Sequence, residues 1–200
     1  IENDIFNFKD ISFTTQKEKF FSESLKISKI KKKTFFIEGE IQNKNSNLNN
    51  ELLRLINFNS KNLKFLNTNF TSKNKFSFEI DNKFKIKNLL INSEIFINKS
   101  EYQKPKSLNN YLPEVNDLIY IKDHTIKSSY KKNNLILEGF GKIKLEKEFD
   151  EVKYKITNKE NNFEIFSNIT LSKLKLKNEE YLKPFFPKLN KLSEIKNQQI

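Results

Sequence analysis

The sequence contains no cysteine and only one histidine, His124, and these absences exclude several functions. A chain without thiols has no disulfide framework, no thiolate nucleophile and no cysteine-based zinc site. A single histidine excludes metal sites built from several histidines. No stretch reaches the roughly 18 consecutive apolar residues that a transmembrane helix needs. We therefore expect no metal and no cofactor.

Glycine, proline and arginine are also scarce, with three glycines, four prolines and Arg54 as the one arginine. The net charge of +12 comes almost entirely from lysine. Because lysine, asparagine, isoleucine and phenylalanine are enriched together, as in A+T-rich coding sequence, the charge is weak evidence for an acidic partner. The chain begins at Ile1 rather than methionine, so we expect a piece of a longer protein whose membrane anchor lies elsewhere.

Apolar and polar residues alternate along most of the chain, as at Phe35–Ile41 and Leu135–Leu145. This period predicts half-buried β-strands with one apolar face and one Lys/Asn/Glu face. Short polar segments such as 131–134 predict hairpins between antiparallel neighbours. The predicted fold class is mostly β: antiparallel β-meander repeats that form a curved, open, taco-like sheet with one apolar concave face and one short helix.

Internal similarity predicts repeat units. Tyr111–Lys122 aligns without gaps with Phe185–Lys196, and Lys31–Gly39 resembles Lys131–Gly139. We interpret residues 1–104 as a longer β-groove unit, residues 105–183 as a compact five-stranded unit, and residues 184–200 as the start of a third. The helical spacing of Leu48–Ile56 predicts a helical insertion near residues 46–58 of the first unit.

Two features could suggest a catalytic or phosphate-binding site. Gly139-Phe140-Gly141 lies inside a predicted strand and lacks the third glycine and the helix of a phosphate loop, so we expect the glycines to make room for a bulge or a tight curl. Phe140 should then point away from the apolar set. His124 has no nucleophile elbow around it, and we expect a solvated surface histidine rather than a catalytic base.

The predicted five-stranded units ending in a crossover, with the strand Leu137–Ile143 and the crossover Tyr111–Pro113, resemble AsmA-like bacterial envelope proteins. These belong to the repeating β-groove class of bridge-like lipid transfer proteins. The resemblance implies a non-enzymatic periplasmic groove, anchored in the inner membrane by a segment outside this chain. It also implies transport of phospholipid towards the outer membrane, with partners at both membranes reached through regions outside this chain.

On this interpretation an uninterrupted apolar stripe holds the acyl chains, because each buried CH₂ contributes about 0.8 kcal/mol. The predicted groove residues of the first unit are Phe35, Ile37, Ile41, Phe76, Phe78, Ile80, Ile95 and Ile97. Those of the second unit are Leu135, Leu137, Ile143, Val152, Tyr154, Ile156, Phe163, Ile165, Ile169 and Leu171.

Two other functions stay open. The same residues could form the closed core of a structural or adhesive β-repeat protein, such as a surface or virion fibre. The lysines could serve a basic nucleic-acid-binding β protein, but a reader of base edges is expected to use arginine. We therefore expect no nucleic-acid partner.

Overall fold

The fold is a single antiparallel β-sheet. A computed structural model describes residues 4–15, 18–48, 64–159, 162–175 and 194–199. These residues form ten strands and one short 3-10 helix, η1. The strands are β1 (Ile5–Thr15), β2 (Glu18–Lys31), β3 (Thr34–Asn47), β4 (Phe65–Asp81), β5 (Ile86–Gln103), β6 (Leu118–Lys131), β7 (Asn134–Lys144), β8 (Phe149–Lys159), β9 (Asn162–Lys175) and β10 (Glu194–Gln199), and η1 is Lys106–Asn110.

Each strand pairs with its neighbour in the sequence, in the order β1 to β10. All nine pairings are antiparallel, and β1 and β10 are the two outer strands, so the sheet is open. The predicted antiparallel meander is thus confirmed. Short turns make it possible: Lys132 and Asn133 both adopt positive φ, as a type I′ hairpin turn requires.

Bulges at asparagine or aspartate interrupt four of the strands, at Asn45, Asn67, Asn88 and Asp123, where the register with a neighbouring strand shifts. The residues with positive φ inside strands are Asp10, Asn45, Asn67, Asn88 and Asp123. These two residue types tolerate the left-handed conformation better than other L-residues do. At each bulge the side-chain alternation changes phase, and bulges bend a strand and increase its twist. None of the glycines has positive φ, so asparagine and aspartate carry this role.

The strand register defines two faces. We call the face that carries Ile37 and Leu137 the front face, and the face that carries Glu38 and Glu138 the back face. The row Phe76–Ile91–Tyr130–Leu135 connects the first half of the sheet to the second across the front. β6 pairs from end to end with residues 90–103 of β5, so one sheet continues across the boundary predicted between residues 104 and 105.

The sheet is one layer thick. Among the described residues, no strand contacts any strand except its neighbours in the sequence. The connection from β5 to β6 folds around Lys104, whose ammonium group donates to the carbonyl oxygens of Leu112 (3.2 Å) and Val115. Residues 46 and 47 of the predicted helical insertion belong to β3, and residues 49–58 lie outside the described residues, as do most of residues 184–200.

Candidate functional site

The register brings every predicted groove residue to the front face. In the first half, Ile37 lies opposite Phe78 and Phe35 lies opposite Ile80. In the second half, Ile156 lies between Leu137 and Ile165. Since partners in an antiparallel pair project to the same side of a sheet, the two groups of predicted residues form one surface. Whether this surface binds a lipid is a separate question.

Most of these apolar side chains remain partly accessible. Among the described residues, the only fully buried hydrophobic side chains are Val115 in the β5–β6 connection and Leu171 on β9. Phe163 and Ile165, also on β9, are 62% and 59% exposed. The whole chain exposes 14701 Å² of surface, whereas a compact protein of 23.9 kDa exposes about 9,900 Å². An apolar surface of this kind normally has an occupant.

The front face also contains apolar residues that the predicted set omits. They lie mainly beside the bulges, where the alternation changes phase and a fixed period assigns side chains to the wrong face. At Asp123, for example, the front-facing positions change from odd to even. The omitted residues include Phe6, Phe8, Ile11, Phe13, Phe20, Leu25, Ile27, Phe65, Phe70, Ile86, Ile91, Tyr102, Ile119, Ile121, Ile126 and Tyr130.

Polar residues interrupt the predicted stripe, and the expectation of an uninterrupted apolar surface is wrong. Asn74, Ser93 and Ser128 lie side by side on β4, β5 and β6, in a row that begins at Ile41 and continues to Leu137. The neighbouring row through Phe76 and Leu135 contains only apolar residues and a tyrosine in these strands. The front face therefore has an apolar lane beside a polar patch.

Small buried polar residues on the front face satisfy one another or the backbone. Near the β3 bulge, Asn43 donates to the Phe70 carbonyl oxygen (3.2 Å) and accepts a hydrogen bond from Ser72. The Thr68 and Ser100 hydroxyls lie 2.6 Å apart. A bulge removes backbone pairings, so polar side chains next to it lower the cost of burying the backbone.

The glycines of the Gly139-Phe140-Gly141 segment accommodate two side chains from neighbouring strands. A Cβ atom on Gly139 would lie 2.6 Å from Cε1 of Tyr154, and one on Gly141 would lie 2.6 Å from Cα of His124. The glycines make room for these side chains rather than for a bulge within their own strand; the bulge lies at Asp123 on β6, the strand next to Gly141. Phe140 points to the back face, as predicted, and is 54% exposed.

His124 is buried, and the prediction of a solvated histidine is wrong. It is 5% exposed, and its Nε2 lies 3.1 Å from the Tyr154 hydroxyl. Its Nδ1 is buried against Gly141 without a hydrogen-bond partner. Burial lowers the pKa of His124 and raises the pKa of Tyr154, so both groups are held neutral. The pair fills space between β6 and β8 across two glycines.

Charged residues of alternating sign cross the back face. Lys73, Glu94, Lys127, Glu138 and Lys155 lie opposite one another on β4 to β8. The ammonium nitrogen of Lys127 lies 3.3 Å from a Glu94 oxygen, and that of Lys155 lies 2.7 Å from a Glu138 oxygen. We call this row the charge ladder. Its members are solvated, so this part of the back face is stable in water without a binding partner.

The chain matches no model of a known protein family, no curated protein and no solved structure. Within the described ranges, no helix is long and apolar enough to cross a membrane, and no three acidic or histidine side chains come together in a metal-binding group.

Proposed function

We propose that the front face binds phospholipid acyl chains, and that the protein is a non-enzymatic, AsmA-like segment that carries phospholipid between the inner and outer membranes. One observation carries the proposal: a wide apolar face is covered by no second layer within the described residues. Exposed apolar surface costs about 25 cal/mol per Å². Acyl chains lying on this face would remove that cost and would themselves stay out of water.

The apolar lane suits an elongated occupant better than a compact one. Its residues Phe76, Ile91, Tyr130 and Leu135 follow one another across four strands, which at about 4.8 Å per strand corresponds to roughly 14 Å. Asn74, beside the lane, already donates to the Ile41 carbonyl oxygen and to Ser72. Because the Asn74 amide already has two acceptors within the protein, a hydrocarbon chain beside it would leave few hydrogen-bond donors without partners. The four bulges at asparagine and aspartate supply the bending that a groove requires.

The direct test is native mass spectrometry of the purified protein for bound phospholipid, followed by loading with a fluorescent acyl-labelled phosphatidylglycerol. We expect Ile165→Glu on the front face to reduce loading several-fold, because it places a charge where the acyl chain lies. Phe166→Glu is the matched control, since the neighbouring residue is equally exposed but faces the back. Equal loading by the wild type and both variants, or no bound lipid at all, would contradict the proposal.

The same variants test the closed-core alternative. That function needs a second sheet over the front face, and the described strands supply none. Two copies could supply it by packing front to front. If light scattering shows a lipid-free dimer that Ile165→Glu disrupts and Phe166→Glu does not, a structural β-repeat protein is the better interpretation.

A further inference from the structure

The back face carries an aromatic patch that the proposed acyl surface does not use. Phe140 on β7 and Phe166 on β9 are 54% and 62% exposed, although they project among lysines. Both border one shallow depression, whose charged lining consists of three lysines, Lys127, Lys153 and Lys155, and one carboxylate, Glu138. We call the two phenylalanines and the three lysines the back patch. A single exposed phenylalanine needs no explanation, but two that flank a basic depression indicate a binding surface.

The register fixes the arrangement of the back patch. Lys153 lies directly opposite Phe140, and Lys155 lies directly opposite Phe166. Each phenylalanine thus lies opposite a lysine of β8 in the register, and the two lysines are two residues apart on one face. A second depression on the other side of Phe140 is lined by Lys142 and Lys153 together with Asp123 and Glu151. Of these two depressions, only the one between Phe140 and Phe166 therefore has an excess of cationic groups.

The charges of the patch are available to a partner. Lys155 and Lys127 contact Glu138 and Glu94, but these pairs are solvent-exposed, and exposed pairs hold their members weakly. Lys153 makes no ion pair with any residue that the structure describes. A partner with phosphate groups would pair with Lys153 and compete for Lys155 at little cost.

We propose that the back patch docks the protein on an anionic phospholipid surface, with the two phenyl rings inserted at the boundary of headgroups and acyl chains. Exposed aromatic rings combined with lysine are the combination that interfacial binding uses. Lysine stems lie along apolar surface while their ammonium groups reach phosphate. The proposal goes beyond acyl binding by the front face and stands without it.

Single-stranded nucleic acid is the competing partner, and the geometry disfavours it. Phe140 and Phe166 lie on strands separated by β8, which places them roughly 10 Å apart across the sheet. Successive bases stack on a closer series of rings. The described back face also offers lysine and no arginine, and lysine cannot make the planar, bidentate contacts of arginine.

The test is co-sedimentation with vesicles of phosphatidylcholine, alone or mixed with phosphatidylglycerol. We expect salt-sensitive binding to the mixed vesicles only. Phe166→Ser should weaken it about tenfold, because the ring no longer leaves water. Leu66→Ser should leave it unchanged, because Leu66 is an exposed apolar residue (42%) of the same back face that lies on β4, opposite Glu101 and outside the back patch.

The lysines provide a second comparison. Lys153→Gln should weaken binding about fivefold, the effect of one cationic residue near an anionic membrane. Lys26→Gln, on the back face of β2 and paired with Glu38 at 3.1 Å, should have no effect. Equal losses with Leu66→Ser and Phe166→Ser, or binding that ignores salt, would overturn the proposal, as would displacement of vesicles by an oligothymidylate that Phe166→Ser abolishes.

The outcomes separate the two proposals. If the back patch docks on membranes, Phe166→Ser loses vesicle binding but still loads fluorescent phospholipid. If only the front face binds lipid, Phe166→Ser behaves as the wild type in both assays, and docking is refuted while acyl binding stands. If vesicle binding survives in a protein that loads no lipid, acyl binding is refuted alone.

Discussion

The two faces of the sheet differ most clearly at neighbouring residues of β7. Glu138 projects to the back, between Lys127 and Lys155, in a row where opposite charges face each other. Gly139, the next residue, has no side chain, and on the front face the ring of Tyr154 occupies the space that one would fill. The side chains of the back face interact through solvent-exposed ion pairs, whereas those of the front face interact through apolar and aromatic packing.

This difference has a functional consequence. The alternating charges of the charge ladder need no binding partner, because each charged group is both paired and hydrated. A face of half-exposed rings and branched side chains is incomplete, because its outer surface has no layer above it in the described residues. The front face therefore gains from an occupant wherever its apolar residues are exposed, as along the apolar lane, whereas the back face gains only where Phe140 and Phe166 interrupt the charges.

The most direct test of the difference between the two faces is to place one charge on each face, at adjacent positions of one strand. Ile37→Lys puts an ammonium group between Ile27 and Phe78, whereas Phe36→Lys puts it between Ser28 and Glu79. We expect Ile37→Lys to lower the free energy of unfolding by about 3 kcal/mol. Phe36→Lys should lower it by about 1 kcal/mol or less, because Glu79 offsets the lost packing. Urea unfolding of both variants measures the difference.

Similar losses of unfolding free energy in the two variants would mean that the two faces are equally solvated, and the assignment of an apolar front face would then be wrong. The slope of unfolding against urea serves as an internal control, since an unchanged slope shows that both variants unfold from the same sheet.

Alanine substitutions at Gly141 and Gly139 test which parts of the front face are free to move outwards. Gly141→Ala brings Cβ to 2.6 Å from the His124 Cα, so β6 and β7 must separate, and we expect a loss of about 2 to 3 kcal/mol. In Gly139→Ala the clash involves only the ring of Tyr154, which can swing outwards from an uncovered face. That loss should be about 1 kcal/mol, and Tyr154→Ala should abolish it. Thermal unfolding of the three variants and the double variant tests this order.

An equal cost for the two glycine variants would show that Tyr154 cannot move outwards. Something would then cover the front face at that point, and the groove interpretation would lose its support there.

The strands and their order could be predicted from the alternation and the short turns, since each hairpin leaves its strands adjacent. The bulges were missed, although the sequence contains a signal for them. The apolar positions change from Ile119 and Ile121 to Ile126, from odd to even, across Asp123. A change of phase next to asparagine or aspartate marks a bulge. Coding bias alone does not account for the abundant asparagine, because several asparagines adopt the positive φ of the bulges.

The burial of His124 could not be predicted from its neighbours in the chain. It depends on Gly141 and Tyr154, which reach it only through the pairing of β6, β7 and β8. The charge ladder has the same origin, because the charges alternate across strands and not along them. The predicted groove residues reach one face because their strands contain a uniform period. Their lipid-binding role rests on resemblance and stays a prediction.

The smallest expected effect concerns the back face. Lys155, bonded to Glu138 at 2.7 Å, holds the pKa of that carboxyl group below its ordinary value. The pair therefore stabilises the fold above the ordinary glutamate pKa of about 4.3, and its contribution is lost as the pH falls through the lower folded-state value. Lys155→Gln should raise the pKa of Glu138, measured by NMR titration, and Lys155→Arg should keep it low. Because both groups are solvated, high salt should reduce the difference. A Glu138 pKa unmoved by Lys155→Gln would show that the opposed charges of the back face do not interact, and that the face is merely hydrated.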